Sequence, residues 1–157
     1  MALPKHTFVA WMVSNEALML KSRLYRLNIS QDDLCCICSL HEESHQHLFQ
    51  GCIFSQTVIQ EVENWLGSSI GQQHDCLQHI AKRRWSKIRK RIVNAAIQAC
   101  WYLIWQYMNE ARLLSQVPRP GLVAREVQCI VSLRVRNYVP LTISNKDREW
   151  LQKMHFV

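Results

Sequence analysis

Residues 35–52 read CCICSLHEESHQHLFQGC and contain the pattern Cys35-x2-Cys38-x8-His47-x4-Cys52. Three thiols and one imidazole are ligands that a tetrahedral zinc ion prefers, with Zn–S bonds of about 2.3 Å and Zn–N bonds of about 2.0–2.1 Å. Four protein ligands leave no position for water or substrate, so such a metal is structural rather than catalytic. The sequence therefore predicts a zinc-stapled Cys3His loop.

Two further histidines compete with His47 for the fourth position. His45 would lengthen the gap to Cys52 from four residues to six, and His41 would lengthen it further. The spacing favours His47, with His45 and His41 kept as alternatives.

Two other interpretations of the cysteines are open, a redox-active Cys-x-x-Cys and a cysteine-rich loop without metal. A redox pair usually begins a helix after a strand, where the thiol pKa is lowered. Here Asp32 and Asp33 come just before the first thiol. Their carboxylates would raise the thiol pKa, which argues against redox use.

Composition limits the class of protein. The chain has 157 residues, 48% of them hydrophobic, which suits one domain, or one domain with a small metal-stapled lobe, and excludes a disordered chain. No secretory signal and no apolar run of about 18–20 residues is present. We therefore expect no membrane segment and an intracellular, reducing location, nucleus or cytoplasm, where clustered cysteines usually bind metal.

A run of cations lies at residues 82–91 and contains no acidic residue. Its seven positive charges equal the whole formal net charge of +7. A surface of this kind attracts phosphate without reading base sequence. The run predicts contact with the phosphate backbone of RNA or DNA, with an import signal and a plain solvated helix face as alternatives. Its cations are Lys82, Arg83, Arg84, Lys87, Arg89, Lys90 and Arg91.

The remaining pattern is mainly α-helical. Apolar residues recur at helical spacing over most of the chain, and residues 67–76 form a polar loop or linker. We predict a zinc-binding domain at 1–67 and a helical C-terminal region at 68–157, which carries a long basic helix. The predicted helices follow Pro4, then run from Asn15 to about Leu27, from Ser55 to Leu66 with a stop at Gly67, from about Leu77 to Leu114, and from Val123 to about Val139.

Tryptophans suggest core packing more strongly than ligand binding. Trp101 and Trp105 stand four residues apart among Ile97, Ile104 and Met108. This stripe has helical period and no interleaved cation, so a helix core is favoured over base stacking. The same interpretation applies to Trp11 and Trp65.

Motifs for catalysis are absent from the sequence. It contains no glycine-rich phosphate loop, no HExxH and no G-x-S-x-G. Asp32 and Asp33 do not form a convincing two-metal site. We therefore expect no enzyme activity and no small-molecule substrate.

The chain resembles the reverse-transcriptase zinc-binding domain near the C-terminus of plant LINE-type (non-LTR) retrotransposon polyproteins. That domain opens with Pro-Lys-x-x-Phe-x-x-Trp, matched by Pro4, Lys5, Phe8 and Trp11, and continues with C-x-x-C…E-[ST]-x-x-H-L-F-x-x-C. The second pattern is matched by Cys35, Cys38, Glu43, Ser44, His47, Leu48, Phe49 and Cys52. The specific part of the resemblance covers about residues 4–67. Met108 stands where the family's later Ile-Trp-x-x-Arg-Asn phrase has arginine, and Asn28 where the family has glycine.

The resemblance implies a domain that helps to hold RNA or DNA beside a polymerase. No paired-aspartate polymerase motif occurs in this chain, so it looks like a detached retroelement domain. The resemblance also supports His47 over His45. Our expectation is zinc-dependent nucleic-acid binding of low sequence specificity. The alternatives are a zinc-stabilised protein-interaction module and a non-functional remnant.

Overall fold

A computed structural model describes residues 1–70, 80–140 and 142–154. Within these ranges the chain forms α-helices, one π-helical turn and no β-strand, so the predicted mainly α fold is confirmed. No helix in the described ranges is long and apolar enough to cross a lipid bilayer. The elements are α1 Pro4–Ser14, α2 Lys21–Arg26, the π-helical turn His47–Gly51, α3 Ile53–Leu66, α4 Lys87–Leu114, α5 Pro120–Tyr138 and α6 Asn145–Lys153.

The long helix α4 lies at the centre of the molecule. It packs against α1 on one side and against α5 on another, while α3 packs mainly on α5. Ala96 and Ala99 are fully buried, and such small side chains let neighbouring helices approach closely. One hydrophobic core joins residues from both predicted parts of the chain. The division at residue 67 stays a prediction, and part of its linker, residues 71–76, lies outside the described residues.

The long helix begins later than predicted. We expected it to start at about Leu77, but α4 begins at Lys87, and residues 83–86 are not helical. Ser86 is the N-cap, and its hydroxyl accepts a hydrogen bond from the Arg89 amide at 3.0 Å. The apolar spacing of Trp85 and the residues after it concealed this break. Residues 77–79 of the predicted helix lie outside the described ranges.

Two other helix starts were also wrong. Asn15 does not begin the second helix but ends α1, where its side-chain amide donates to the Trp11 carbonyl at 2.8 Å. The segment that follows is irregular up to Lys21, the first residue of α2. The third helix starts at Ile53 rather than at Ser55, which is completely buried inside its first turn.

Helix α1 buries a different face from the one that its aromatic residues suggested. Val9, Ala10 and Val13 are buried, whereas Phe8 and Trp11 are 60% and 59% exposed. Both faces of this helix are apolar, so periodicity could not choose between them. The core interpretation was therefore wrong for Trp11.

The other tryptophans that were predicted to pack in the core agree better with that prediction. Trp101 is buried in the core, and Trp65 and Trp105 are half-buried and pack against it.

The C-terminal segment forms a further helix beyond the last one that the sequence predicted. Ser144 caps α6 by accepting a hydrogen bond from the Asp147 amide at 3.2 Å. The Asp147 carboxylate also accepts from the Ser86 hydroxyl at 2.6 Å, which joins the N-termini of α4 and α6. The Trp150 indole donates to the Leu66 carbonyl at 2.9 Å, so α6 also closes over the end of α3.

Gly67 ends α3 as predicted and offers a clean test of backbone strain. It has φ 57° and ψ 35°, and a Cβ built on it would meet no atom within 4 Å. Gly67→Ala is therefore expected to cost only the left-handed backbone penalty, about 1–2 kcal/mol. Urea denaturation would measure this loss. An unchanged midpoint would show that the chain does not hold this residue in the left-handed region.

Candidate metal centre

The first half of the centre is a small turn that contains Cys35 and Cys38. The Cys35 amide donates to the His41 carbonyl at 2.8 Å, and the Ser39 amide donates to the Cys35 carbonyl at 2.9 Å. Leu34 and Glu42 form an isolated antiparallel bridge at the base of this turn. These backbone bonds fix the turn so that its two thiols lie within one group. We call residues 35–38 the knuckle.

The second half is the π-helical turn and the residue that follows it. The Ser44 hydroxyl accepts from the His47 amide at 3.1 Å, and the Cys52 amide donates to the His47 carbonyl at 2.6 Å. A π-helical hydrogen bond spans five residues, and this one joins the two predicted ligands of this half. Leu48 and Phe49 on the same turn are buried in the core and anchor it.

The two halves bring four ligand atoms together. One ligand atom from each of Cys35, Cys38, His47 and Cys52 lies within 4.8 Å of all the others, and these residues could hold a metal ion. The Cys38 Sγ and His47 Nε2 atoms are 3.2 Å apart. Tetrahedral zinc with ordinary bond lengths separates its ligand atoms by about 3.5–3.8 Å. The donor set fits zinc, and the observed separations bracket the range that a tetrahedral ion needs.

The structure places His45 and His41 outside this group of four. His45 Nε2 accepts a hydrogen bond from the Leu18 amide at 3.1 Å, so its ring supports the irregular segment before α2. The His41 ring is exposed, with its centroid 5.3 Å from that of His47. Of the three histidines, only His47 belongs to the group able to hold a metal.

The pKa values of three predicted ligand residues are shifted, and not all in the same direction. Burial, and then the charge of His41, lower the pKa of His47, so its imidazole is neutral at neutral pH. A hydrogen bond between the two buried thiols raises the pKa of Cys35 and lowers that of Cys52. Asp32, which we expected to raise the thiol pKa, is paired with Lys21 at 2.6 Å.

Glu43 is the main structural residue that sequence analysis did not single out. Its carboxylate is completely buried and accepts hydrogen bonds from the Lys21 amide at 2.9 Å and from the Cys36 amide at 2.9 Å. The Arg112 guanidinium forms an ion pair with the same carboxylate at 2.7 Å. Glu43 therefore ties the knuckle to the start of α2 and to the end of α4. The available signal was its place in the E-[ST]-x-x-H pattern, but nothing in the sequence indicated its partner.

The predicted phosphate-binding residues separate into two groups. Arg89 lies between two tryptophan rings, 4.7 Å from the Trp85 centroid and 4.8 Å from the Trp150 centroid. Lys90 donates to the Ala81 carbonyl at 2.6 Å, and Arg83 lies 5.1 Å from the Trp85 ring. These three cations contact the protein itself and stabilise the start of α4.

Four cations of the run are exposed. Lys87 and Arg91 are four residues apart on α4 and so share one helix face, while the other two precede the helix. The structure thus exposes four cations of the run, in the first turns of α4 and in the five residues before it. This exposed cation group consists of Lys82, Arg84, Lys87 and Arg91.

Comparison with known proteins agrees with the metal centre. Residues 1–58 match the model of a family described as zinc-binding in reverse transcriptase, and this range contains all four predicted ligands. No curated protein and no solved structure matches the chain. The match to a zinc-binding family, together with the Cys3His group, confirms the prediction of zinc as the cofactor.

Proposed function

We propose that this chain is a zinc-stabilised module that binds the phosphate backbone of RNA or DNA. Cys35, Cys38, His47 and Cys52 hold zinc, and the exposed cation group contacts phosphates. The observation that carries this proposal is the position of that group. Four exposed cations occur within ten residues of sequence at the start of the long helix α4, in a run that contains no acidic residue.

The zinc centre and the exposed cation group lie on one connected framework. Helix α4 begins at Lys87, and near its other end Arg112 reaches the buried Glu43 carboxylate beside the knuckle. Zinc would therefore fix the loop that holds this end of α4. Zinc supplies no open coordination position here, so its contribution is structural.

Binding of this kind is driven by charge and counterion release. Each neutralised phosphate lowers log K by about 0.7–0.9 per tenfold increase in salt, irrespective of base sequence. A group of four exposed cations therefore supports a salt-dependent affinity with low sequence specificity. The three cations held by tryptophan rings and by a backbone carbonyl keep the helix start in place.

The test is to remove charge from the exposed cation group. We expect the combined variant Arg84→Gln, Lys87→Gln and Arg91→Gln to bind a labelled RNA or DNA oligonucleotide more weakly by at least about tenfold at low salt. Its salt slope should fall by about 2–3 because up to three phosphate contacts are lost. Fluorescence anisotropy over a series of salt concentrations would measure both quantities.

The matched control removes three exposed arginines elsewhere, namely Arg23, Arg119 and Arg125. It makes the same change in net charge, so it should weaken binding much less. Equal losses in the two triple variants would show that binding depends on overall charge rather than on this surface. Zinc content should stay the same in both.

A protein-interaction module is the second candidate, and one observation favours it. Phe8 and Trp11 are exposed side by side on α1, with ring centroids 6.3 Å apart. Exposed aromatic pairs are common in protein interfaces. If wild-type protein binds no oligonucleotide, whereas Phe8→Ala and Trp11→Ala improve its solubility or abolish self-association, this candidate would replace the first.

Our proposal includes the origin of the chain. The family match over residues 1–58 supports descent from a reverse-transcriptase polyprotein. We propose a plant LINE-type retrotransposon as the source, action in the nucleus or cytoplasm, and binding without catalysis. A non-functional remnant would fold in the same way but show no oligonucleotide binding that depends on the exposed cation group.

A further inference from the structure

A groove adjoins the exposed cation group. It has a volume of about 530 Å³ and lies between the N-terminal end of α1, one face of α4 and the C-terminal end of α5. This volume is in the range of small-molecule sites, which are commonly about 300–1,000 Å³. Arg91 lines the groove and is also a member of the exposed cation group. A phosphate on Arg91 would therefore lie at the mouth of the groove.

The wall of the groove carries an unsatisfied amide. Asn94 lines it from α4, and its Oδ1 atom is buried without a hydrogen-bond partner among the described residues. A buried acceptor without a partner is unfavourable, and a bound donor would satisfy it once the Asn94 side chain turns toward the groove. A carboxamide offers a donor and an acceptor side by side, the arrangement that pairs with the edge of a nucleobase.

An aromatic ring also lines the groove. Tyr138, near the C-terminal end of α5, lines the groove and is 58% exposed. Arg134 holds the ring by lying 5.5 Å from its centroid and donating to the phenol oxygen at 3.2 Å. A ring held in place loses little freedom when a base stacks on it, and base–aromatic stacking is common in single-strand binding sites.

We propose that this groove receives an unstacked base of single-stranded RNA or DNA. The base stacks on Tyr138, and the Asn94 side chain turns toward the groove to pair with the polar edge of the base, while the adjacent phosphate contacts Arg91. This inference rests on the proposed function and adds to it a preference for single strands. In a duplex the bases are stacked and paired, so none would be available to enter the groove.

The experiment compares a single-stranded oligonucleotide with a duplex of the same sequence and length, both at one fixed salt concentration. Wild-type protein should bind the single strand more tightly. Tyr138→Ala and Asn94→Leu should each weaken single-strand binding by about 5- to 100-fold, the range that loss of one stacked base or of one bidentate contact to a base edge produces. Duplex binding and the number of phosphates inferred from the salt slope should stay unchanged.

The variants are chosen so that misfolding cannot explain the result. Asn94→Leu removes a buried acceptor that has no partner, so the protein should be as stable as wild type or more stable. Tyr25→Ala is the control for Tyr138→Ala, because Tyr25 is an exposed tyrosine on α2 outside the groove. Single strands that contain 2-aminopurine report stacking directly, since their fluorescence is quenched when the base stacks.

Each outcome bears on a different claim. Equal affinity for single strand and duplex, with wild-type affinity in Tyr138→Ala and Asn94→Leu, would overturn the groove inference and leave backbone binding intact. Absence of any oligonucleotide binding by wild-type protein would overturn the proposed function and this inference together. Loss of single-strand binding in both groove variants, with duplex binding retained, would establish the site.

Discussion

Cys52→Ser is expected to yield protein without zinc that is less stable than wild type by more than about 4 kcal/mol. Loss of a bound metal is among the few single changes that lower the free energy of unfolding by this much. Cys52 is completely buried, and its amide donates to the His47 carbonyl at 2.6 Å immediately before α3 begins. A serine hydroxyl is a poor zinc ligand, and here it would also be a polar group inside the core.

Two measurements check this expectation, metal analysis of the purified protein and thermal unfolding followed by circular dichroism. Cys129→Ser is the matched control, because Cys129 is an exposed cysteine on α5 outside the group of four. It should retain one zinc per chain and the wild-type midpoint. Wild-type protein treated with a strong chelator should unfold like Cys52→Ser, since both lack the same ion. A full zinc complement in Cys52→Ser would remove Cys52 from the ligand set.

The metal centre could be predicted from the sequence because its geometry is local. The backbone bonds that shape it join residues close in sequence, such as Cys35 with His41 and His47 with Cys52. Spacing alone therefore carried the information about the thiols and the imidazole. The choice of His47 over His45 depended on the same spacing and on the family resemblance, and the structure agrees by giving His45 a different hydrogen-bond partner.

The parts that sequence analysis missed depend on long-range contacts. The apolar pattern continues through Ser86 without a break and so gives no sign that a helix starts there. The hydrogen bond from Ser86 to Asp147 joins residues 61 positions apart. Helix α1 buries the face that packs against α4. The positions of its aromatic residues do not determine that face. The start of α4 determines which cations of the basic run are exposed, so the proposed phosphate-binding surface could be defined only once the fold was known.

Arg112→Met is expected to destabilise the chain by about 3 kcal/mol. Glu43 has a completely buried side chain, and Arg112 is its ion-pair partner at 2.7 Å. Removing one member of a buried pair leaves the other charge without compensation, which typically costs about 3–5 kcal/mol. The Arg112 side chain is 25% exposed, so the lower end of that range applies. Methionine keeps much of the packing made by the arginine stem.

A double-mutant cycle with Glu43→Gln separates the ion pair from the packing around it. If the pair is the cause, the double variant should be more stable than the sum of the two single losses predicts. Arg125→Met, at an exposed position on α5, is the control for loss of one positive charge. Strict additivity of the two losses would show that Glu43 and Arg112 do not act as a pair.

The same variant tests whether this ion pair supports the metal centre. The Glu43 carboxylate accepts from the Cys36 amide inside the knuckle, so movement of Glu43 would disturb the two thiols beside it. Loss of a residue that orients metal ligands usually lowers metal affinity by about 10- to 100-fold. We therefore expect Arg112→Met to lose zinc to a competing chelator at lower concentration than wild type, although none of its four predicted ligands has changed. Wild-type zinc retention in a destabilised Arg112→Met would mean that the pair fixes the end of α4 without supporting the knuckle.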